Sequence, residues 1–407
     1  MIDAGARERA LGNIANNVSA SASDARLQRF ARRQRSSEWL IGDAREAAGL
    51  PRDSRDDESK QWVRPLRPAR CRWRASLSVG VHCDHEAAYA HYSGLERCAS
   101  IWSCPVCSAI IRAGRSVDIK AAAESANEKG LSVVFATMTQ RHQMGDALAF
   151  TLDVMLTGFR KLQASRAYKK LAERYSLVGM IRATEITYGK NGWHPHNHLL
   201  YFFESKMNAH DVARFEHEFG ALWISKCAAL GAGVPTQEHG VDCKLVEKGG
   251  TVLAEYITKF QEPGEYRERK TSIGLEIARG DLKTGKLDSL VPFQLLDAAG
   301  HGSETARTLW LEYVHATRGR RAFSWSKGLR ELLLPDTEEM TDEEIIEDAE
   351  RAELVLVLES DFYDRVLKEN PSNLAGALEL AELGLAAHIV EELSNDPPPP
   401  KPRPSFT

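Results

Sequence analysis

The sequence predicts an α+β fold, a central antiparallel sheet flanked by helices, and three observations carry that expectation. Residues 131–261 read in the order β–α–β–β–α–β–α, with strands and helices interleaved. Leu177–Tyr188 and Trp193–Glu204 are apolar strands joined by the short turn Gly189-Lys190-Asn191-Gly192, the pattern of an antiparallel hairpin. No glycine-rich phosphate loop follows the first strand, which argues against a dinucleotide-binding α/β fold.

Taken in order, residues 1–65 are rich in Arg, Ser, Ala and Asp without a sustained apolar period, and read as a flexible segment with a short helix in Ala22–Gln34. Residues 66–130 form a cysteine-rich element with short β-like runs such as Ser76–His82. A helix follows over Ser108–Lys129, and Gly130 suits its C′ position. The core, 131–265, opens with the β-branched strand Leu131–Thr139. It continues through a helix over Ala147–Tyr175, the hairpin, a helix over Asn208–Leu230, a strand over His239–Glu247 and a helix over Thr251–Gln261. Residues 266–334 are a helical extension, with helices expected over Ser303–Thr317 and Trp325–Leu334. The acidic region 335–395 has a helical period, and the Pro-rich end, 396–407, reads as a disordered tail.

Net charge is −4, from 53 basic and 57 acidic residues, which taken whole argues against a nucleic-acid partner. The average hides an asymmetry. Asp336–Asp361 holds twelve acids and one base, so that segment carries −11 and the rest of the chain +7. The body can therefore approach phosphates, and the acidic segment is the part least suited to touch them. No apolar run is long enough for a membrane span, and the charged start lacks the apolar core of a secretion signal, so a cytoplasmic protein is expected. Five of the seven cysteines fall within 37 residues, which in a reducing compartment points to metal.

The sharpest local feature is Trp193-His194-Pro195-His196-Asn197-His198. Alternation along a strand puts His194, His196 and His198 on one face, where imidazole nitrogens can converge on a divalent cation. Glu185 on the preceding strand falls near them when the turn closes. Mixed imidazole and carboxylate ligation suits Mg2+ or Mn2+ acting on a phosphate, or Zn2+. In Glu255-Tyr256-Ile257-Thr258-Lys259 a helix puts Tyr256 and Lys259 three residues apart on one side, so the ammonium can reach the phenol or its substrate. Cys104-Pro105-Val106-Cys107 is a zinc half-site that Cys98, with Cys71 or Cys83, completes; His82 and His85 are alternatives. Arg112 and Arg115 on the next helix, and Arg141 after the first strand, are candidate DNA contacts. Cys227 and Cys243 read as ordinary core residues.

Together these motifs resemble the HUH endonucleases, specifically the rolling-circle replication initiators of bacterial plasmids. Phe135–His142 is similar to the family's first motif, Ala183–Thr187 with Asn191–His198 to its metal motif, and Ala254–Lys259 to its nucleophile motif. Cys98–Cys107 resembles the upstream cysteine element, and Trp310–Tyr313, Gly319-Arg320 and Trp325–Arg330 also resemble family segments; the likeness covers roughly residues 70–335. It implies that Tyr256 attacks a phosphodiester at the plasmid's double-strand origin, leaving a 5′-phosphotyrosyl link and a 3′-OH primer. Metal at His196, His198 and Glu185 would polarise the phosphate and Lys259 would neutralise developing charge, with host helicase and replication machinery as partners. The core of the family motif is His196-x-His198, so His194 is the outlying ligand, and Asn197 stands where the family usually has a hydrophobe. A transposase or mobilisation relaxase shares this chemistry; a zinc-stabilised DNA-binding regulator explains the cysteines but not the histidine strand.

Overall fold

Period-two alternation and β-branched residues build the strands, and the computed structural model describes them within residues 20–59, 61–85, 89–246, 289–298, 303–349 and 352–394. Among these residues the strands are, in chain order, β1 (Ser78–Asp84), β2 (Tyr89–Ser93), β3 (Ser132–Met138), β4 (Leu177–Gly189), β5 (Gly192–Phe203), β6 (Val241–Leu245), β7 (Ser289–Leu290), β8 (Phe323–Trp325) and β9 (Glu353–Glu359). One sheet has the order β6-β3-β5-β4-β7 with β8 also on β4; the other is β2-β1-β9. The chain divides into two compact units, one containing Ser100–Asp342 and one drawing on Glu8–Ala99 and Glu343–Thr407.

In the first unit the sheet is antiparallel, as expected. β4 and β5 pair along their length down to Gly189↔Gly192. Gly192 has φ 83°, and a Cβ there would meet the Gln143 carbonyl at 3.2 Å and Met144 Cα at 3.3 Å, so both backbone hand and space call for glycine. One face presents Val133 and Phe135 of β3, Ile181 and Ala183 of β4, and Leu200 and Phe202 of β5 to Ile119, Ala122 and Ala126 of the helix Pro105–Glu128. The other presents Val134, Ala136, Leu199, Tyr201 and Phe203 to Phe215, Phe219, Trp223 and Cys227 of the helix Ala209–Ala229. Asn208 caps that helix by accepting from the His210 and Asp211 amides. Each large apolar side chain removed from water in these layers stabilises the unit by about 1.5–3 kcal/mol.

Two expectations change here. The span Ala147–Tyr175 is several helices: Leu148–Asp153, a π-helical turn Val154–Gly158, Phe159–Gln163, and Arg166–Arg174, which restarts because Ser165 accepts from the Tyr168 amide. The stretch Trp325–Leu334 is strand β8 and then a helix, Leu329–Leu333, with Gly328 at φ 79° between them. The helix expected over Thr251–Gln261 lies outside the described residues, as does the Pro-rich end.

The second unit departs further from the sequence reading. The N-terminal segment contributes a long helix, Ala20–Ala47, with Phe30 and Leu40 buried. Arg26 on that helix bonds Glu382 through both carboxylate oxygens, at 2.8 and 2.6 Å, tying it to the helix Asn373–Glu382. The acidic region is not helical throughout: Glu353-Leu354-Val355-Leu356-Val357-Leu358-Glu359 is strand β9, antiparallel to β1. Its acids sit at the strand ends while the β-branched and leucine run between them alternates, so strand pairing wins over the charge pattern. Described residues of 20–65 and 343–394 fall in the same unit.

Candidate metal centre

The face of the sheet that packs on Pro105–Glu128 is apolar for most of its length and changes character at one end. Val133 and Phe135 are followed on β3 by Thr137, Ile181 and Ala183 on β4 by Glu185, and Phe202 and Leu200 on β5 by His198 and His196. Strand register makes these last positions meet: Thr137 and Ala183 flank His198, and Glu185 lies opposite His196. One Glu185 oxygen, Oε2, is 3.1 Å from His196 Nε2 and 3.0 Å from His198 Nε2. The three side chains each offer a ligand atom within 4.8 Å of the others, in a buried or half-buried setting.

The second ring nitrogens explain why Nε2 is presented. His198 Nδ1 faces the Thr137 hydroxyl and His196 Nδ1 faces the His194 carbonyl, each at 3.4 Å. An Nδ1–H donated to these oxygens leaves Nε2 as the ligating lone pair on both rings. Phe135 stacks on the His198 ring, centroids 5.5 Å apart, which further fixes its plane. Two imidazoles and one carboxylate fit a divalent cation of the Mg2+, Mn2+ or Zn2+ kind.

His194, the outlying ligand of the sequence reading, is not in this group. Its ring stacks on His142 with centroids 4.6 Å apart and planes 16° apart. Burial first, then the neighbouring His196 and His142, push its pKa down to about 3, so the ring is neutral at physiological pH. Tyr256 and Lys259 lie outside the described residues. Arg112 and Arg115 are buried rather than turned to solvent. Arg112 donates to the Ser108 hydroxyl at 3.0 Å, and Arg115 pairs with Asp342 at 2.8 Å and Glu339 at 3.8 Å. A phosphate contact by Arg115 would require breaking that pair, so both side chains read as structural. Arg141 is exposed on the loop after β3.

Sequence reasoning left several supporting residues without a role. Glu312, within Trp310–Tyr313, accepts from Trp193 Nε1 and from the Leu148 amide, both at 2.8 Å, and so ties the hairpin and the start of the helix Leu148–Asp153 to the helix Glu304–Thr317. Asn197, between the two histidines, is fully buried on the opposite face. It accepts from the Thr184 hydroxyl at 2.7 Å and donates to the Met155 carbonyl of the π-helical turn at 2.8 Å. Arg182 donates to the same Thr184 hydroxyl. Asn197 is thus a polar key whose partners no sequence period reveals.

Cys71, Cys98, Cys104 and Cys107 are buried, and each offers a sulfur that could ligate a metal ion. Cys104 caps the helix Pro105–Glu128, its sulfur accepting from the Cys107 amide at 3.5 Å. Beside them the buried Arg33 guanidinium bonds the Cys71 carbonyl while its Nε has no hydrogen bond. Four thiolates around Zn2+ carry a net −2, which such a buried cation would offset, so the donor set fits zinc. Cys227 and Cys243 pack in the core as expected.

Fold and site thus define an antiparallel α+β protein with a carboxylate–imidazole group suited to a divalent cation and a four-cysteine cluster. Comparison with known proteins narrows the class. Residues 95–223 match the family model described as a replication protein. A "Protein rep" of Streptomyces lividans is 37% identical over 300 residues, covering 59% of this chain and 64% of that protein. A "Neomycin resistance protein" of Streptomyces cyanogenus is 33% identical over 134 residues, 26% of this chain and 30% of that one. A "Protein rep" of Bacillus sp is 35% identical over 100 residues, 24% and 31% of the two chains. The chain thus spans less than two thirds of the length of each of these relatives. No solved structure matches.

Proposed function

We propose that the protein is a rolling-circle replication initiator of the HUH type, which nicks and rejoins single-stranded DNA at a plasmid's double-strand origin. The observation that carries this reading is the convergence of His196 Nε2 and His198 Nε2 on Glu185 Oε2 across paired strands. A divalent cation held there supplies Lewis acidity toward the scissile phosphate. Tyr256, by its resemblance to the family nucleophile, attacks phosphorus through its phenolate oxygen. The P–O3′ bond breaks, the 3′ oxygen takes up a proton and leaves as a hydroxyl, and the 5′ phosphate stays on the tyrosine. Rejoining reverses these steps. Lys259 neutralises charge that builds on the phosphate. Glu185 would complete the ligand set with the two imidazoles, and Thr137 keeps His198 in the ligating tautomer. The free 3′-OH then primes synthesis by host helicase and polymerase in the cytoplasm, and zinc at the cysteine cluster steadies the region before the nuclease sheet.

The test is covalent capture. Wild-type protein with Mn2+ is expected to nick a supercoiled plasmid carrying the origin and to remain attached to the 5′ end, and Tyr256→Phe is expected to do neither. Attachment by the Tyr256→Phe variant would remove the nucleophile assignment. Absence of metal-dependent nicking on any single-stranded substrate would remove the enzyme reading in favour of a DNA-binding regulator.

A further inference from the structure

The stacked imidazoles beside the metal centre have no part in the nicking reaction as described. We propose that His142, laid on His194, is a stacking platform for one base of the single-stranded DNA that crosses the metal centre. The inference rests on the nicking reading for its ligand but on different residues.

Alternation along β5 sets His194, His196 and His198 in a row, so His194 lies about 7 Å along the strand from His196, toward the hairpin tip. That step is comparable to the spacing of neighbouring phosphates in an extended strand. A nucleotide next to the scissile phosphate is thereby brought over the His142–His194 pair. His142 is half-buried; its ring stacks on His194 with centroids 4.6 Å apart, and its Nδ1 lies 3.5 Å from the Gln140 carbonyl. No other ring of the described residues covers its outer face.

The surroundings suit a nucleic-acid strand. Met144 is 57% exposed at the hairpin tip and its sulfur accepts from the half-buried Tyr188 hydroxyl at 3.5 Å, so apolar and aromatic surface continues from the platform. Arg141 and Lys190 are exposed, and neither side chain has a partner among the described residues, which leaves both charges for phosphates. A ligand role for the pair is disfavoured by geometry. Rings stacked within 16° of parallel hold their nitrogen lone pairs in separate planes, and the group that converges within 4.8 Å is Glu185, His196 and His198. Base stacking on an aromatic surface tolerates any base, so the platform serves affinity and placement rather than sequence choice.

The test uses the full chain in EDTA, so that binding is read without cleavage, with a fluorescent mixed-sequence single strand of about 20 nucleotides. His142→Ala is expected to weaken binding about 5- to 150-fold, the equivalent of one lost base stack. His142→Phe keeps a ring without the imidazole nitrogens and is expected to recover affinity to within about threefold of wild type. Mn2+ affinity, measured separately, is expected to be the same for wild type and His142→Ala. Unchanged DNA affinity in His142→Ala overturns the proposal. So does a His142→Phe variant as weak as alanine, which would assign the imidazole nitrogens instead, and so does a parallel loss of Mn2+ affinity, which would make His142 a ligand. Because binding is read in EDTA, failure of nicking leaves this outcome readable, and failure of the platform leaves nicking intact.

Discussion

Replacing Asn197 with leucine separates a polar key from an ordinary core position. The side chain is fully buried, accepts from Thr184 Oγ1 at 2.7 Å and donates to the Met155 carbonyl at 2.8 Å. Leucine removes both bonds and strands two buried partners, each at a cost of about 1–3 kcal/mol. The apolar side chain returns about 1–2 kcal/mol by transfer from water. The net expectation is a loss of about 2–3 kcal/mol, or a fall of roughly 4–12 °C in melting temperature for a unit of this size. Thr184→Val removes the other end of the first bond, so the double variant should lose less than the two singles together, with a coupling of about 1 kcal/mol. Urea unfolding of wild type, both singles and the double variant supplies the cycle. An Asn197→Leu protein as stable as wild type, or strict additivity in the cycle, would refute the reasoning and reduce the polar chain to a tolerated substitution.

Thr137→Val should leave the fold intact but lower Mn2+ affinity about 10- to 100-fold by freeing the His198 tautomer, and Thr137→Ser should restore it; isothermal titration reads both. Glu312→Ala removes the two acceptor bonds to Trp193 and Leu148 and should cost about 2–4 kcal/mol in urea unfolding, with Glu312→Gln, which keeps an acceptor oxygen, costing less. Cys104→Ser should reduce bound zinc, read by elemental analysis, and lower the thermal midpoint, and a chelator should do the same to wild type.

The core of the fold was legible because its signals are local. The strand Leu131–Thr139, the hairpin over Leu177–Glu204 and the capped helix beginning after Asn208 each carry their own period and turn residues, and each forms within a residue or two of its expected bounds. Glu185 and the histidine pair were legible for the same reason, since a hairpin closed by Gly189–Gly192 fixes its own register. The rest depends on distant chain. Strand β9 was hidden by its acids, because its partner β1 lies far away in sequence. The N-terminal helix lacks a clear apolar stripe and is held by contacts such as Arg26–Glu382 from the other end of the chain. Arg112 and Arg115 carry charges that suggest phosphate until burial and Asp342 are seen. His194 follows the strand parity of a ligand, yet His142 from a neighbouring loop takes its ring.

In the proposed function Glu185, His196 and His198 together hold the cation that DNA cleavage requires. Its most direct test is Mn2+ binding followed by electron paramagnetic resonance on the full chain, alongside cleavage of single-stranded origin DNA, for wild type, Glu185→Ala, His196→Ala and His198→Ala. Wild type is expected to show a protein-bound Mn2+ signal apart from the cysteines, lost in each variant together with cleavage. Cleavage that persists in His196→Ala and His198→Ala, or an unchanged signal in all three variants, would contradict it.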